Sequence, residues 1–411
     1  MSYSTKPSQC VILCGGLGKR LLPHTKVTPK PMILCNGKPF LWYLMDNISV
    51  QGIKKFCLLT GYLSEKIKDY FKDGKQFGWH IDYSDGDIDW KTGKRLWEAQ
   101  SLLDHNFLLM YSDNFSLVNL NALYNKHKKN KTPITFSLFK KGKGNVAINQ
   151  NEDVLTYKNN RNAPNLDHVE IGYMIIDKQY IFSLFKKFES DFSEILEQFA
   201  KEKKLGAFIQ KDYYYSVSDP VRWKITEKYL SKKKIILIDR DGVINKKSSK
   251  GRYIETWDEF EWIDVTVNSM KKLSKKGFCF IIITNQAGIN RGIIKSNELD
   301  LIHYNMKKKL EDEGIKILEI YICPHDWNEG CDCRKPNAGM FFKASNEWLF
   351  RLDETLYIGD DPRDMEAAIN AGCNGIFLGS ASELKHNQRQ NIKKISSNLE
   401  DALFTIEAVL G

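Results

Sequence analysis

The chain lacks the long apolar runs that are typical of membrane-spanning proteins. Its 411 residues contain no uninterrupted apolar stretch of about 18 residues, which is roughly the minimum for a transmembrane helix. The first residues, MSYSTKPSQCVILCGG, contain no basic segment followed by a long apolar one, so they do not have the form of a secretory signal. These absences predict a cytoplasmic protein that makes no contact with a membrane.

Cysteine is thinly spread, with nine in the whole chain, except in the segment CPHDWNEGCDCRKP at residues 323–336. In a chain without secretory signals, scattered cysteines are more often reduced thiols or metal ligands than a disulfide framework. Cys323, His325, Cys331 and Cys333 are the ligand types of a closed tetrahedral zinc site, although their C-x-H-x5-C-x-C spacing is tighter than in most zinc fingers. We therefore predict a structural Zn²⁺, with a metal-free loop or a catalytic cysteine as weaker alternatives.

Recognised nucleic-acid-binding motifs are also lacking, although the formal net charge is +10. Two short basic runs, KHKKNK at 126–131 and SKKK at 231–234, lie in a chain whose lysines are spread throughout and accompanied by 51 acidic residues. This distribution is typical of a solvated surface or of a protein that handles phosphorylated metabolites. We predict no nucleic-acid partner, and the sequence leaves the oligomeric state open.

Short apolar runs recur along the chain and end in glycine or polar residues. They are CVILCGG, FCLLTGY, FLLMYSD, IILIDRDG, FIIITNQ, IYICPH and LYIGDD. Runs of this length, separated by helix-like stretches such as residues 296–314, indicate buried parallel strands of an α/β fold. Active sites of such folds gather at the carboxyl ends of the strands, which is where the polar residues of these runs stand.

A change in the character of the motifs marks a domain boundary near residues 231–233. There the basic run SKKK directly precedes a new apolar strand, IILIDRDG. The chain length and a hydrophobic content of 42% suit two or three globular domains of ordinary size. We predict two α/β domains, residues 1–231 and 232–411, joined by hardly any linker.

The sharpest catalytic signal is IILIDRDGVIN, in which Asp239 and Asp241 stand two apart at a strand end. Side chains alternate along a strand, so the two carboxylates project to the same side. One can then attack as a nucleophile while the other moves a proton. Such a pair is weak evidence alone, but further motifs follow it in order. FIIITNQAG supplies Thr284 and Asn285, CRKP supplies Lys335, and LYIGDDPRD supplies Asp360, Asp361 and Asp364.

In this order the motifs of residues 234–380 resemble those of the haloacid-dehalogenase-like phosphatases, and the resemblance implies a Rossmannoid α/β fold. It implies that Asp239 attacks phosphorus to form an aspartyl-phosphate. Asp241 would protonate the leaving oxygen and later activate water. Thr284 and Lys335 would bind the phosphoryl oxygens, whose charge must be stabilised in the transition state.

The same resemblance implies Mg²⁺, a hard cation that prefers oxygen ligands. Asp239 and Asp360 would hold it with their carboxylates, and Asp241 with its backbone carbonyl. Either Asp361 or Asp364 would orient Lys335 or the metal shell.

Within this group, CPH…CDCRKP together with TNQAGINRG at 284–292 resembles the zinc-containing D-glycero-D-manno-heptose 1,7-bisphosphate phosphatases. Zinc would pin the loop that carries Arg334 and Lys335. The resemblance predicts substrate contacts by Asn285, Arg291 and Arg334. Histidinol-phosphate phosphatases share much of this pattern and remain the alternative.

The N-terminal half opens with VILCGGLGKRLLPHTKVTPKPM. A glycine-rich loop after a strand lets backbone N–H groups approach phosphates closely, and Arg20 and Lys30 add positive charge. With KR at 19–20 and PKPM at 29–32, residues 8–230 resemble the sugar-1-phosphate nucleotidyltransferases, in particular the D-glycero-D-manno-heptose 1-phosphate guanylyltransferases. In this Rossmann-like family a sugar phosphate oxygen attacks the α-phosphorus of a nucleoside triphosphate, and pyrophosphate leaves.

The resemblance assigns a role to each matching residue of this half. Asp113, in FLLMYSDN, occupies the position of a carboxylate that binds the metal. The others would contact substrates: Gly15, Gly16 and Gly18 the nucleotide, Arg20 the triphosphate, Lys30 the phosphates that react, and Glu170 in VEIGYMII a sugar hydroxyl.

This half also departs from its family. Where an LGTAG-like nucleotide loop is usual, KTGKRL at 91–96 keeps Thr92 and Gly93 as nucleotide contacts and adds Lys94 and Arg95, whose charge could serve phosphate binding. The same segment resembles that of cytidylyltransferases acting on glucose 1-phosphate, so the nucleobase stays open.

Two further departures affect catalysis. A family Asp falls on Ser216 in YYYSVSDP, and a family Glu-Lys pair falls on Lys158 and Asn159. Asp219 would compensate for the missing carboxylate, or Asp113 and the triphosphate alone would hold the metal. A domain that binds a sugar nucleotide without turning it over is the alternative.

Together the resemblances predict a bifunctional enzyme that acts on a sugar phosphate and a nucleoside triphosphate. Removal of the distal phosphate from a heptose bisphosphate leaves a heptose 1-phosphate. That product is the acceptor that the transferase half requires, and GTP is the expected donor. A phosphatase fused to a binding-only domain, and a histidinol-phosphate phosphatase fused to another nucleotidyltransferase, are the rival hypotheses.

Overall fold

The computed structural model describes residues 6–159, 164–184, 189–249 and 252–411. The chain separates into two compact units, residues 1–227 and 228–411. The division falls inside a helix, Pro220–Leu230, shortly before the position 231 at which the sequence predicts a boundary. None of the described helices is long and apolar enough to cross a membrane.

The first unit alternates strands and helices along most of its length. Its helices are α1 Phe40–Ser49, α2 Ser64–Phe71, α3 Thr92–Glu98, α4 Leu120–Asn130, α5 Lys178–Leu184, α6 Phe192–Lys201 and α7 Pro220–Leu230. Its strands are β1 Gln9–Leu13, β2 Leu34–Cys35, β3 Lys38–Pro39, β4 Lys55–Thr60, β5 His80–Asp85, β6 Asn106–Tyr111, β7 Asn114–Ser116, β8 Ile134–Lys140, β9 Val146–Ile148, β10 Val154–Tyr157, β11 His168–Asp177, β12 Leu205–Gln210 and β13 Tyr214–Ser216.

Nine of these strands form one mixed sheet, in which β1 lies between β4 and β6 and is parallel to both. Strand β11 joins the sheet antiparallel to β6 and also pairs with β8 and β9. Every residue of β1 is buried, the polar Gln9 included, because a central parallel strand is covered on both faces. The glycine-rich loop follows directly from the end of this buried strand.

The second unit contains a parallel sheet surrounded by helices. Its strands are β14 Ile235–Ile238, β15 Cys279–Asn285, β16 Ile317–Cys323, β17 Leu356–Gly359, β18 Asn374–Leu378 and β19 Ile392–Ser396. Its helices are α8 Asp264–Lys275, α9 Ser296–Asp312, α10 Gly339–Trp348, α11 Pro362–Ala371 and α12 Leu403–Leu410.

The strand order in this sheet is β16-β15-β14-β17-β18-β19, and each of these neighbouring pairs is parallel. Each of the seven apolar runs quoted above forms a strand, so the predicted α/β fold is confirmed. Since parallel strands present their carboxyl ends at one edge, β14, β15 and β17 bring the DRD, TNQ and GDD segments together there.

Two candidate active sites

The first candidate site lies at the carboxyl edge of the second unit's sheet and centres on Asp239. Lys335 Nζ lies 2.8 Å from Asp239 Oδ1 and 2.8 Å from Asp364 Oδ1. It also donates hydrogen bonds to the Tyr357 hydroxyl at 2.7 Å and to the Ile283 carbonyl at 3.1 Å. Asp239, Lys335 and Asp364 are all buried, so one ammonium group bridges two carboxylates away from water.

Asp364 resolves the choice that the sequence left open within DDPRD. It lies in the first turn of α11, where its Oδ2 accepts the backbone N–H groups of Asp360 at 3.2 Å and Asp361 at 3.0 Å. Asp361 instead caps this helix and pairs with Arg363. The structure therefore assigns the contact with Lys335 to Asp364.

Asp241 is held on several sides by hydrogen-bond donors. The neighbouring Arg240 donates to both of its carboxylate oxygens. Asn245 donates to Oδ1 at 3.0 Å and Gln286 to Oδ2 at 2.8 Å. Arg240 is itself 1% exposed, and its Nη1 lies 3.0 Å from Nε2 of His303 on α9. The carboxylate is thus fixed in orientation by residues that are themselves packed.

Asp239, Asp360 and Asp364 place carboxylate oxygens within 4.8 Å of one another. Asp360 Oδ1 is buried and has no hydrogen-bond partner among the residues that the structure describes, while its Oδ2 lies 2.7 Å from Lys247 Nζ. Gly242 leaves room for this group, because a Cβ at that position would lie 2.0 Å from Asp360 Oδ2. An unpartnered buried oxygen within an acidic cluster suits a hard divalent cation.

The pKa values of the acidic cluster also favour a bound divalent cation. Burial raises the pKa of Asp239 above its ordinary value, and Lys335 offsets only part of that rise. Burial also raises the pKa of Asp360 to about 6, despite Lys247. For Asp241 burial favours the neutral form, but Arg240 and its other donors hold the pKa below the ordinary value. Asp241 is therefore an anion at neutral pH, whereas Lys335 and Lys247 only partly offset the effect of burial on Asp239 and Asp360.

Thr284 and Asn285 end strand β15 beside this cluster. Thr284 is 1% exposed, and its hydroxyl accepts a hydrogen bond from Gln286 Nε2 at 2.9 Å. Asn285 exchanges two hydrogen bonds with the backbone of Lys335, at 3.0 and 3.1 Å. The side-chain amide of Asn285 therefore fixes the loop that carries Lys335, and a substrate contact by Asn285 stays a prediction.

The predicted zinc ligands form a compact cluster of all four residues. The Cys333 sulfur lies 3.3 Å from that of Cys323, 3.4 Å from that of Cys331 and 3.2 Å from His325 Nδ1. Cys323 lies 3.7 Å from Cys331 and 3.6 Å from His325. Vertices of a tetrahedron with metal–sulfur bonds of about 2.3 Å lie roughly 3.8 Å apart. The four side chains thus fit one tetrahedral ion with little adjustment.

The loop that carries the zinc ligands is joined to residues 284–292 through Arg291. Its guanidinium donates to Asp326 at 2.6 Å and to the Tyr253 hydroxyl at 3.2 Å, and stacks 3.9 Å from the centre of the Trp327 ring. Arg334 donates to the His325 carbonyl at 3.0 Å. Both arginines therefore stabilise this loop, while their predicted contacts with substrate stay predictions.

The second candidate site is a cavity of about 510 Å³ in the first unit, at the end of β1. Most of the predicted nucleotide-binding residues line it: Gly15, Gly16, Gly18, Arg20, Lys30, Thr92 and Asp113. Lys30 Nζ lies 2.6 Å from Asp113 Oδ2. Gly18 adopts a φ of 61° beside the Lys30 side chain, a left-handed conformation that glycine adopts readily.

Gly93 and Glu170 do not line the cavity. The backbone N–H of Gly93 bonds to the Ser190 carbonyl at 3.1 Å, and Glu170 is buried on β11, where its carboxylate accepts the N–H of Gly172. A nucleotide contact by Gly93 and a sugar contact by Glu170 therefore gain no support from this geometry.

The segment 91–96, which stands where the family has a nucleotide loop, is largely helical here, because Thr92 begins helix α3. The Thr92 hydroxyl accepts the Phe192 N–H at 2.8 Å and lies 3.2 Å from Asp191 Oδ1, so it joins the starts of α3 and α6. The Arg95 guanidinium is buried and donates to backbone carbonyls. The hydrogen bonds of Arg95 therefore go to the backbone, and a contribution of its charge to phosphate binding stays a prediction.

Ser216, which stands where the family has an aspartate, lies on β13 beside the cavity. Its hydroxyl is 3.0 Å from that of Ser218, which lines the cavity. Asp219 does not line it; its carboxylate accepts the Arg222 N–H at 3.0 Å at the start of α7. The only carboxylates on the described cavity wall are those of Asp113 and Asp191, so this geometry gives no support to Asp219 as the replacement for the missing group.

Sequence reasoning missed several residues that hold the sites together. Arg240, Asn245, Gln286 and Tyr357 all lie inside the motifs DRDGVIN, TNQ and LYIGDD. Their presence in those motifs was the available signal. Which atoms they contact depends on distant strands and could not be read from spacing.

Comparisons with known proteins match each part of the chain to a family. The family model described as Nucleotidyl transferase matches residues 9–265, and the one described as Polynucleotide kinase 3 phosphatase matches residues 234–399. A D-glycero-beta-D-manno-heptose-1,7-bisphosphate 7-phosphatase of Pseudomonas putida is 35% identical over 145 residues, which are 35% of this chain and 82% of that protein. A D-glycero-alpha-D-manno-heptose-1,7-bisphosphate 7-phosphatase of Campylobacter jejuni is 35% identical over 167 residues, covering 40% of this chain and 94% of that protein.

A solved structure of D,D-heptose 1.7-bisphosphate phosphatase from B. bronchiseptica, complexed with magnesium and phosphate, is 27% identical. The match covers 43% of this chain and 99% of that chain, with a TM-score of 0.39.

The fold and the matches define a two-domain α/β enzyme. The chain belongs to the nucleotidyl transferase family through its N-terminal part and to the family of the heptose-1,7-bisphosphate 7-phosphatases through its C-terminal part. Both are families of enzymes, so the predicted pairing of a nucleotidyltransferase with a haloacid-dehalogenase-like phosphatase is confirmed at the level of family.

Proposed function

We propose that the protein removes the 7-phosphate of D-glycero-D-manno-heptose 1,7-bisphosphate and then transfers a nucleotidyl group, GMP from GTP, to the resulting 1-phosphate. The observation that carries the first activity is the buried arrangement of Lys335 between Asp239 and Asp364, in a chain related to heptose bisphosphate 7-phosphatases. The second activity follows from the nucleotidyl transferase family and from the cavity at the end of β1.

In the first step of the phosphatase reaction, a carboxylate oxygen of Asp239 attacks the phosphorus of the 7-phosphate. The bond from phosphorus to the sugar oxygen breaks, and Asp241 gives a proton to that oxygen. Lys335, held at 2.8 Å from Asp239, is in reach of the phosphoryl oxygens as their charge develops. Thr284, buried at the end of β15, would donate its hydroxyl to another of them.

In the second half-reaction Asp241 takes a proton from water, which attacks the aspartyl-phosphate and releases inorganic phosphate. The anionic form that Arg240 and Gln286 stabilise is the form needed for this step. When the phosphate dianion of the substrate enters, its negative charge raises the pKa of the Asp241 carboxyl. Asp241 is then protonated and can give that proton to the leaving oxygen in the first step. The same side chain thereby serves as acid and then as base.

Mg²⁺ and Zn²⁺ are both proposed as bound ions. The Asp239 and Asp360 carboxylates, with the Asp241 backbone carbonyl, would hold Mg²⁺, which neutralises phosphoryl charge when bound. The cluster of Cys323, His325, Cys331 and Cys333 would hold Zn²⁺ in a closed site that serves structure. That ion stabilises the loop leading into Lys335.

In the transferase cavity, the N–H groups of the glycine-rich loop and the side chain of Arg20 would bind the triphosphate. Lys30 lies beside Asp113, where the two charges would orient the reacting phosphates and a metal. The phosphatase product is a sugar 1-phosphate, so the first reaction supplies the nucleophile that the second consumes. This chemical sequence supports one substrate passing through both activities.

A second candidate function is a phosphatase whose N-terminal unit binds a sugar nucleotide without turnover. Ser216 favours it, because a hydroxyl stands where the family has a metal-binding carboxylate and the described cavity wall carries only Asp113 and Asp191 as acids.

One experiment separates these candidates. Heptose 1,7-bisphosphate is incubated with each of the four nucleoside triphosphates and Mg²⁺, and phosphate and pyrophosphate are followed separately. We expect phosphate in every mixture and pyrophosphate with GTP. Pyrophosphate with another triphosphate would correct the donor. Phosphate without any pyrophosphate, also when heptose 1-phosphate is supplied, would leave the phosphatase with a binding domain.

Arg20→Ala extends this test to the cavity. We expect it to depress nucleotidyl transfer far more than nucleotide binding, since its charge acts on the triphosphate during reaction. Lys26→Ala is the matched control, because Lys26 is an exposed cation nearby that does not line the cavity.

A further inference from the structure

We propose that Arg95 is a positioning residue of the transferase cavity. Its guanidinium joins the glycine-rich loop to the end of β4 and to the segment after β5. This inference deepens the proposed nucleotidyl transfer and rests on it for its catalytic meaning. In the nucleotidyltransferase pattern, the position belongs to a nucleotide loop, but here the side chain makes contacts of a different kind.

The two terminal nitrogens of the Arg95 guanidinium donate hydrogen bonds to backbone carbonyls. It donates to Thr60 at 2.7 Å, at the end of β4, and to Asp87 at 2.6 Å, after β5. Longer contacts of 3.4 Å reach the carbonyls of Gly15 and Ile88. Three separate segments, each following a parallel strand, are therefore joined by one side chain that is 4% exposed.

Glycines form the walls of the slot that holds this group. A Cβ at Gly15 would lie 2.4 Å from the Arg95 Cζ, one at Gly61 would lie 2.6 Å from Nη1, and one at Gly86 would lie 2.9 Å from Nη1. Carbon atoms cannot approach so closely, so any side chain at these positions would displace the guanidinium. The sequence thus supplies both the arginine and the space for it.

The slot adjoins the cavity, because Gly15, Ile88 and Arg95 all belong to its lining. In the part of the chain that the structure describes, Arg95 forms no ion pair with a carboxylate. An arginine remains protonated even when buried, so its positive charge is stabilised at close range by carbonyl dipoles and from further away by the Asp87 carboxylate. A triphosphate in the cavity would experience that charge while binding to a loop that the same residue holds in place.

The fork of the guanidinium explains why arginine is required. Its five N–H donors have a fixed planar geometry, whereas a lysine ammonium is a point charge on a flexible chain. Arg95→Lys keeps the charge but cannot reach carbonyls on three segments together. If Arg95 acts through the placement of its hydrogen-bond donors rather than through its charge, Arg95→Lys should show the same defect as Arg95→Met.

The test compares wild type with Arg95→Met, Arg95→Lys and Gly61→Ala, the last of which leaves Arg95 in the sequence but fills its slot. We expect each variant to raise the KM for the nucleoside triphosphate at least about 10-fold, with the KM for heptose 1-phosphate little changed. Amide hydrogen exchange at residues 15–18 should become faster in all three. Gly142→Ala is the control, because a Cβ there meets nothing within 4 Å.

The proposal is overturned if Gly61→Ala keeps the wild-type KM for the nucleoside triphosphate and the wild-type exchange rate at residues 15–18. It is equally overturned if Arg95→Lys keeps both. The exchange measurement requires no nucleotide, so it decides the proposal even if wild type releases no pyrophosphate and the proposed transferase activity fails. Should Arg95→Met not fold, Gly61→Ala and Arg95→Lys carry the same readouts.

Discussion

The guanidinium of Arg240 holds both carboxylate oxygens of its sequence neighbour Asp241. Its Nη2 lies 2.7 Å from Oδ1 and 2.8 Å from Oδ2, and its Nε lies 3.0 Å from Oδ1. Behind it, burial and the charge of Arg240 lower the pKa of His303 to about 3. His303 is therefore neutral and accepts a hydrogen bond from Nη1 through Nε2. The proposed acid and base is thus oriented by a residue that has no access to the substrate.

Arg240→Met should lower the phosphatase kcat by about 100-fold, within the range that general acid–base catalysis contributes. The reason is that Asp241 loses its bidentate partner while Lys335 and Asp239 remain to bind the phosphate, so KM should change less than kcat. Arg363→Met is the matched control, since Arg363 makes an equivalent pair with Asp361 on a more exposed side. A wild-type kcat in Arg240→Met would remove Asp241 from the proposed mechanism.

Asp239→Asn should abolish phosphate release from heptose 1,7-bisphosphate, because the amide is not a nucleophile. Nucleotidyl transfer to supplied heptose 1-phosphate should persist in the same preparation, which serves as the internal control for folding. The two activities are measured by release of phosphate and of pyrophosphate. Substantial phosphatase turnover in this variant would exclude the aspartyl-phosphate route.

Zinc should be present at about one ion per chain in purified protein, as measured by elemental analysis. Cys331→Ser should lose the ion and destabilise the second unit more than the first, because the ligands lie between β16 and α10 and binding energy is folding energy at such a site. Cys279→Ser, a partly exposed cysteine outside the cluster, should retain the metal. Zinc-free protein with unchanged phosphatase activity would contradict the assignment.

Acidification should destabilise the first unit through His127. Burial lowers the pKa of this histidine to about 4, and its Nδ1 lies 3.0 Å from the Thr135 hydroxyl. The unfolded chain, with an ordinary histidine pKa of about 6.5, takes up the proton first, so stability is lost as pH falls from 6.5 towards 4. Between pH 7 and pH 5 the loss from this group is about 2 kcal/mol.

The check is thermal unfolding of the full chain at pH 7 and pH 5. His127→Gln should show a smaller drop in the first unit's transition than wild type, because glutamine does not titrate. His80→Gln, at an exposed histidine, should behave like wild type. Equal drops in all three proteins would show that His127 does not govern acid stability.

The sequence by itself was sufficient to predict the α/β fold and the sets of residues that lie together at the phosphatase site and at the zinc cluster. Each short apolar run forms a strand, and runs of that length alternating with helix-like stretches favour the parallel sheets of an α/β fold. The order DRD, TNQ, CRKP and GDD then predicted one cluster, since parallel strands deliver their carboxyl ends to one edge. The four zinc ligands were visible because they lie within residues 323–333.

Only the tertiary structure decided which atoms touch. Asp361 and Asp364 are equivalent candidates in the motif, but the start of α11 turns Asp361 towards Arg363 and Asp364 towards Lys335. From the sequence, the charge of Arg95 could serve phosphate binding; in the structure, a slot formed by Gly15, Gly61 and Gly86 directs its donors to carbonyls. Spacing fixes the face of an element on which a side chain stands, whereas its hydrogen-bond partners come from segments distant in sequence, which only packing brings within reach.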